Sequence, residues 1–390
     1  MVKISPKIKK YILSLRQYFI NKKIIRNVYK RTFGKRVLII YLTSPFGVKR
    51  INLRHSNVLE CASAAEIFND LEYQVDVVNY NSKRKINFEN YEVIYGMGTL
   101  FEESFYSTKS KIKRIFYATG CNPIFSNIAT TLKVRSFYTD NHILIPESSR
   151  ILKESQHFQI LLSDAVIILG NNYVKNTYLR HDFQVNRYQN LNAFYFDVII
   201  PEVNKKNFSK ARTNFVWFGS SGALHKGLDI VLEFFFIHPE LTLHICGLNA
   251  EESNFYNFYK YRIETSNNIF NYGFVDIQSD LFKEIMEKSC FALFPTISEG
   301  GAVALLNVIA NGALIPIYSE ATGVDLKDYG CEVKTITLEA FTMAINSMLA
   351  LDDENLKKKS VLILNHVRKI YSYENYKIKL RYLISKVLVE

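Results

Sequence analysis

A chain of 390 residues with 48% hydrophobic and 14% aromatic side chains has ample material for burial, which excludes wholesale disorder and points to two domains of about 200 residues or fewer plus appendages. The net charge of +12 resides entirely in residues 1–36, where twelve of the 49 Lys and Arg meet no acidic residue, so the rest is formally neutral and a nucleic-acid-binding body is excluded. Five cysteines (Cys61, Cys121, Cys246, Cys290, Cys331), widely spaced and without C-x-x-C, exclude a disulfide framework or a zinc site and fit buried thiols in a reducing cytoplasm.

Residues 1–35 read as a basic leader. Ile8, Tyr11, Ile12, Leu15 and Phe19 fall near one helical face with Lys9, Lys10 and Arg16 off it, a pattern that predicts a short amphipathic anchor and makes an anionic membrane surface the expected partner of residues 1–36. The leader lacks the apolar core and cleavage site of a secretory signal and is expected to be retained. No run of about 18 apolar residues exists; the best candidate, Leu228 to Ile237, contains Asp229 and Glu233. The expected location is the cytoplasm, peripheral at the inner face of the cell membrane.

Arg36 to Leu42 predicts a buried strand, and Thr43-Ser44-Pro45-Phe46-Gly47 a turn. Apolar residues recur at helical spacing from Ser56 to Leu71, and strands follow at Val75 to Val78, Val93 to Tyr95, Ile115 to Ala118 and Val166 to Leu169. This alternation predicts a doubly wound parallel sheet over 36–206. A polar linker is expected at Asn207-Phe208-Ser209-Lys210. A second α/β set over 207–365 has strands at Phe215 to Phe218, Leu241 to Cys246, Phe291 to Phe294 and Leu314 to Ile317, with helices at Leu228 to Phe236 and Leu305 to Ala310. Residues 366–390 are expected to form a helix returning to the first domain. The fold class is α/β, with two Rossmann-like doubly wound domains facing across a cleft.

Two strand-to-helix junctions of the second domain carry chemistry. In the first, Phe218-Gly219-Ser220-Ser221-Gly222-Ala223-Leu224-His225-Lys226-Gly227, the glycines permit close backbone approach and Lys226 brings a cation to a helix start, where the dipole already favours an anion. A diphosphate fits there; His225 reads as a loop histidine. In the second, Pro295-Thr296-Ile297-Ser298-Glu299-Gly300-Gly301-Ala302-Val303, a carboxylate before two glycines can accept hydrogen bonds from sugar hydroxyls while the amides of a helix start face a ligand. Ordinary βα loops with an exposed lysine and a dipole-stabilised glutamate are the plain structural alternatives.

The strings FVWFGSSGALHKGLDIVLEFF, LHICG, NYGFVD and FPTISEGGAVALLNVIANGALIPIYS, in that order over residues 214–325, resemble the donor domain of retaining GT-B glycosyltransferases of the GT4 type. SPFG, EYQVDVVNY and FYATG resemble their acceptor domain more loosely. The resemblance implies transfer of a hexose-type sugar from a nucleotide-sugar to a glycan or lipid-linked glycan in bacterial surface polysaccharide synthesis. It gives Lys226 and Glu299 the catalytic roles. It places Gly219, Ser220, Gly222, Gly273, Phe274, Ser298, Gly300, Gly301, Ala302 and Asn307 with them at the donor, and Gly47, Thr119 and Gly120 on the acceptor side. Two positions depart from the family pattern. Ser220 stands where an arginine often precedes the lysine, so a second phosphate cation must come from elsewhere, and Asn307 replaces the glutamate that grips the ribose.

The resemblance also implies retention at the anomeric carbon and no cofactor, with Lys226 and helix dipoles stabilising the leaving diphosphate in place of a metal. The absence of D-x-D agrees. A first-domain histidine cannot be placed, His55 and His142 being the candidates. The remaining alternatives are an inactive GT-B binding subunit and a GT-B phosphorylase or sugar-nucleotide epimerase. An NAD enzyme is disfavoured, because Gly96-Met97-Gly98 lacks the third glycine of the dinucleotide fingerprint.

Overall fold

The computed structural model describes residues 24–46, 55–107, 111–180, 185–248, 251–326 and 328–389. The first domain runs β1 (Ile24–Ile25), β2 (Lys35–Tyr41), α1 (Ser56–Asp70), β3 (Tyr73–Asn79), β4 (Val93–Gly96), α2 (Thr99–Glu103), β5 (Lys113–Ala118), α3 (Pro123–Asn141), α4 (His157–Leu162), β6 (Ala165–Leu169), α5 (Asn172–Leu179) and β7 (Tyr188–Leu191). Its seven strands lie in the order β1-β3-β2-β4-β5-β6-β7, and every pairing except β1 with β3 is parallel. The run Val37-Leu38-Ile39-Ile40 is apolar without alternation because β2 is central and covered on both faces.

The second domain runs α6 (Phe208–Ala211), β8 (Asn214–Phe218), α7 (Leu228–Phe236), β9 (Thr242–Cys246), α8 (Ser253–Thr265), β10 (Ile269–Asn271), α9 (Asp280–Lys288), β11 (Phe291–Phe294), α10 (Val303–Gly312), β12 (Ile315–Ser319), β13 (Cys331–Val333), α11 (Leu338–Leu349) and α12 (Asp353–Ile370). Its sheet is wholly parallel, in the order β10-β9-β8-β11-β12-β13. The order reverses between β8 and β11, and this switch point opens a crevice at the carboxyl ends of those two strands.

The leader ends earlier than its charge implies. Ile24 and Ile25 pair antiparallel with Val78 and Val77, and the Asn27 amide donates to Asp76, a fully buried carboxylate that also takes Arg36 and the Tyr91 hydroxyl at 2.8 Å each. Residues 24–36 therefore belong to the first domain, and the strand at Arg36 is not the first; residues 1–23 lie outside the described residues.

The crossing between domains is likewise displaced. Residues 207–210, read as linker, are the N-cap Asn207 and the first three residues of helix α6, whose Phe208 and Ala211 sit in the second core. The crossing segment is 192–206. Asn311 holds it by accepting the Val198 and Ile199 amides, and Lys206 by donating to the carbonyls of Met286, Ser289 and Gly312 at the ends of α9 and α10. Burial lowers the Lys206 ammonium to about 8.

After α12 the chain returns as α13 (Tyr373–Val389), which lies on α1. Arg381 pairs with Asp70 at 2.8 Å, Lys377 with Glu66 at 2.9 Å, and the Tyr376 hydroxyl meets that of Tyr117 at 3.1 Å.

Candidate functional site

At the end of β8 the chain is pressed between neighbours. A Cβ on Gly219 would lie 2.6 Å from the Trp217 ring, and one on Gly247 2.1 Å from the Gly219 carbonyl oxygen. The Gly219 amide donates to the Cys246 carbonyl, and those of Gly222 and Ala223 donate to the Glu252 carboxylate at 2.6 and 2.9 Å. Glu252, unmarked in the sequence, thus occupies two amides of the glycine loop. Gly222 is not among the residues lining the cleft. Its φ is +92°, and the space where its Cβ would stand is filled by the stem of Arg150.

Lys226 follows this loop, almost wholly buried, with Nζ 3.1 Å from the Ser221 carbonyl oxygen and 3.4 Å from Glu299 Oε1. Its neighbour His225 is also buried. Nε2 donates to the Ser298 carbonyl at 2.5 Å, so Nδ1 is the acceptor for the Thr130 hydroxyl at 3.1 Å. Burial keeps this imidazole neutral, lowering it to about 4 against the opposing pull of Glu299.

Glu299 stands in the loop between β11 and α10. Burial would raise its carboxyl, but the Lys226 and Arg150 cations outweigh that and hold it at about 2. Arg150 Nη1 lies 2.9 Å from the same Oε1. Beyond Glu299, Gly300 packs on the first domain: a Cβ there would be 2.3 Å from the Thr119 carbonyl oxygen and 2.5 Å from Gly120 Cα. Gly301, at φ +94°, abuts Ala193. Helix α10 then starts from Ala302 at φ 37° with no side-chain cap, and Ala302, Val303 and Ala304 line the cleft, so the first amides of α10 open on it.

The cleft has a volume of about 340 Å³. Lys226, Glu299, Gly219, Ser220, Gly300, Ala302, Phe274 and Asn307 face it from the second domain, and Tyr41, His55, Glu60, Thr119 and Arg150 from the first. Gly273, at φ +63°, turns the chain so that Phe274 stands 66% exposed at the cleft wall. Ser298 lies behind, in a smaller cavity that it shares with Gly120 and Cys121. The Asn307 side-chain oxygen Oδ1 accepts the Phe196 amide at 2.8 Å, committing one lone pair to the crossing segment. Gly47 lies outside the described residues.

Glu60, buried on the acceptor side, accepts from the hydroxyls of Tyr41 and Tyr117 at 2.8 and 3.1 Å, and burial raises its pKa. Among the described residues no three His, Cys, Asp or Glu side chains gather as a metal site. Sequence reading missed Arg150, Glu252, Glu60 and Thr130. Arg150 lies in an irregular stretch with no period, and the other three look like ordinary helix-face or pre-helix polar residues until the fold brings them in.

No protein-family model matches the sequence, and no curated protein matches it either. Solved structures do. The chain superposes on a glycosyltransferase from Rickettsia africae with a TM-score of 0.60 at 14% identity, covering 91% of this chain and 99% of that one. The catalytic domain of starch synthase IV from Arabidopsis thaliana, bound to ADP and acarbose, gives 0.59 at 8% identity over 92% and 100%. Staphylococcus aureus TarM, in complex with UDP, gives 0.54 at 12% identity over 75% of this chain and 55% of that one, so the chain spans just over half of TarM. At these identities the likeness shows the fold: two Rossmann-like domains in the GT-B arrangement.

Proposed function

We propose that the chain is a glycosyltransferase that moves a hexose-type sugar from a nucleoside diphosphate-sugar to a glycan or lipid-linked glycan acceptor. The observation that carries this reading is the meeting of Lys226 and Glu299, 3.4 Å apart, in a cleft onto which an uncapped helix N-terminus opens. A buried ammonium beside free helix amides is a preorganised receptor for a leaving diphosphate, in a place largely shielded from water. Glu299, ionised at any ordinary pH, accepts from sugar hydroxyls. Phe274 offers an aromatic face to the base, and Asn307 a polar group to the ribose. The fold agrees: Anabaena HepE, with a TM-score of 0.55 at 11% identity, was solved with UDP and glucose.

On this reading Lys226 and the helix dipole serve where a divalent cation would otherwise bridge the phosphates, and transfer proceeds with retention. Thr119 and Gly120 stand on the acceptor side. The basic residues 1–23 hold the enzyme at an anionic membrane surface, where a lipid-linked acceptor for surface polysaccharide would be met; no helix among the described residues is long and apolar enough to cross a membrane.

The direct test is a thermal-shift panel of UDP-, ADP-, GDP- and dTDP-sugars, followed by turnover with the sugar that raises the melting temperature most. A ligand at a hundred times its Kd adds about 2.7 kcal/mol to the native state, a rise of several degrees. If no nucleotide-sugar shifts the transition, the donor reading fails.

A further inference from the structure

We propose that Arg150, a residue of the first domain, supplies the second cation of the diphosphate site, doing from across the cleft what position 220, a serine, does not. This inference rests on the donor reading above.

Three features place it there. The Arg150 stem lies across the glycine loop: a Cβ on Gly222 would stand 2.5 Å from its Cδ and 2.8 Å from its Cγ, so the absent side chain at 222 is what admits the arginine. The guanidinium and the Lys226 ammonium then converge on one oxygen, Glu299 Oε1, at 2.9 and 3.4 Å. The other nearby carboxylate, Glu252, is taken up by the Gly222 and Ala223 amides and the Ser148 hydroxyl, so Glu299 is shared between both cations, and they line the cleft beside Ser220 and Gly219. The Arg150 side chain is 44% exposed and meets Glu299 through Nη1, which leaves further guanidinium donors for a ligand, and a planar guanidinium suits phosphate oxygens.

The segment that carries Arg150 is bolted to the donor loop. Ser148 donates its hydroxyl to the Glu252 carboxylate that also takes the Gly222 and Ala223 amides, and Glu147 takes the Asn254 amide at 2.5 Å and its side-chain nitrogen at 3.0 Å. On the far side Asn127 exchanges two hydrogen bonds with the Leu152 backbone, at 2.8 and 2.9 Å. Arg150 is thereby aimed at the phosphates before the ligand arrives.

The test uses whichever of UDP, ADP, GDP and dTDP binds the intact chain most tightly, with the matching phosphate-free nucleoside as control, measured by calorimetry. Arg150→Ala should weaken the nucleoside diphosphate on the order of tenfold to a hundredfold and leave the nucleoside unchanged. Arg150→Lys, which keeps charge without the fork, should fall between. Adding Ser220→Arg to Arg150→Ala should recover much of the loss, since it returns a guanidinium from the other side of the cleft; a merely structural Arg150 would not respond. Wild-type diphosphate affinity in Arg150→Ala, equal loss of nucleoside and diphosphate, or a double variant no better than the single one would overturn the inference while leaving the donor reading intact. If the intact chain binds none of the four, the donor reading and this inference fall together.

Discussion

His225 joins the two domains: its Nδ1 accepts the hydroxyl of Thr130 on α3 while its Nε2 donates to the Ser298 carbonyl on the donor side. Only the neutral ring can do both, and its burial lowers the pKa from 6.5 to about 4. Between these values the unfolded chain binds a proton that the folded chain refuses, so the stabilisation is whole above 6.5 and drains as pH falls toward 4. The full loss is on the order of 3 kcal/mol. Calorimetric melting temperatures should therefore decline from pH 7 to pH 4, and His225→Gln should flatten part of that slope. Only part would go, because buried His244 is lowered in the same way. An unchanged slope in the variant would remove His225 as a cause.

Lys226→Ala should reduce turnover on the order of 100-fold or more, as loss of one preorganised charge does elsewhere. Glu299→Gln should behave differently. It frees both cations from their carboxylate, so nucleoside diphosphate affinity holds or rises, while turnover falls because the sugar loses its acceptor. Initial rates and calorimetry on both variants check the pair, and a Glu299→Gln enzyme with wild-type turnover would sink the assignment of that carboxylate.

Gly300 has an ordinary φ, so Gly300→Ala strains no backbone; its effect comes from a methyl group driven onto Thr119 and Gly120. The domains must part locally. We expect a loss of about 2 kcal/mol or more, as for other overpacked positions, together with weaker nucleotide binding. Small-angle scattering should show a slightly larger radius of gyration, and a variant as compact and as tight-binding as wild type would contradict the packing described.

If Lys226 and the start of α10 take the place of a metal at the diphosphate, as proposed, turnover should be insensitive to EDTA. Activity lost in EDTA and restored by Mn²⁺ or Mg²⁺ would show that a cation assists departure of the diphosphate after all.

If the leader is the anchor, as proposed, deletion of residues 1–23 should abolish sedimentation with anionic vesicles at low salt. Deletion of 1–34 should in addition destabilise the protein, because it removes β1 and the Asn27 amide from Asp76. For the intact chain, vesicle binding should weaken steeply with salt, exposed charges being screened over about 8–10 Å at physiological ionic strength. Equal binding by the 1–23 deletion would exclude the leader as an anchor.

The central strands were legible because continuous apolar runs such as Val37 to Ile40 and Phe291 to Phe294 leave few alternatives, and each fell within a residue or two of its expected place. Short edge strands were not. β1, β10 and β13 have two or three residues each, too few to show a period, and they are strands only because a neighbour supplies the pairing. Lys226 and Glu299 could be seen because glycines mark the turns on which they sit. Arg150 could not, for its place beside Glu299 is set by where the first domain meets the second, and nothing local in Ser148-Ser149-Arg150 encodes that meeting.

The crossing segment has a mechanical consequence. The Tyr195 amide donates to the Tyr371 carbonyl at 3.2 Å, and the Phe194 and Tyr373 rings lie 4.9 Å apart, so the outward and returning chains touch where they pass between domains. Two tethers at one corner leave the domains a single pivot. Phe196 lines the cleft and hangs from Asn307, so the pivot is also the floor of the pocket. A molecule seated against Asn307 therefore rests on the crossing segment itself, at the first turns of α10.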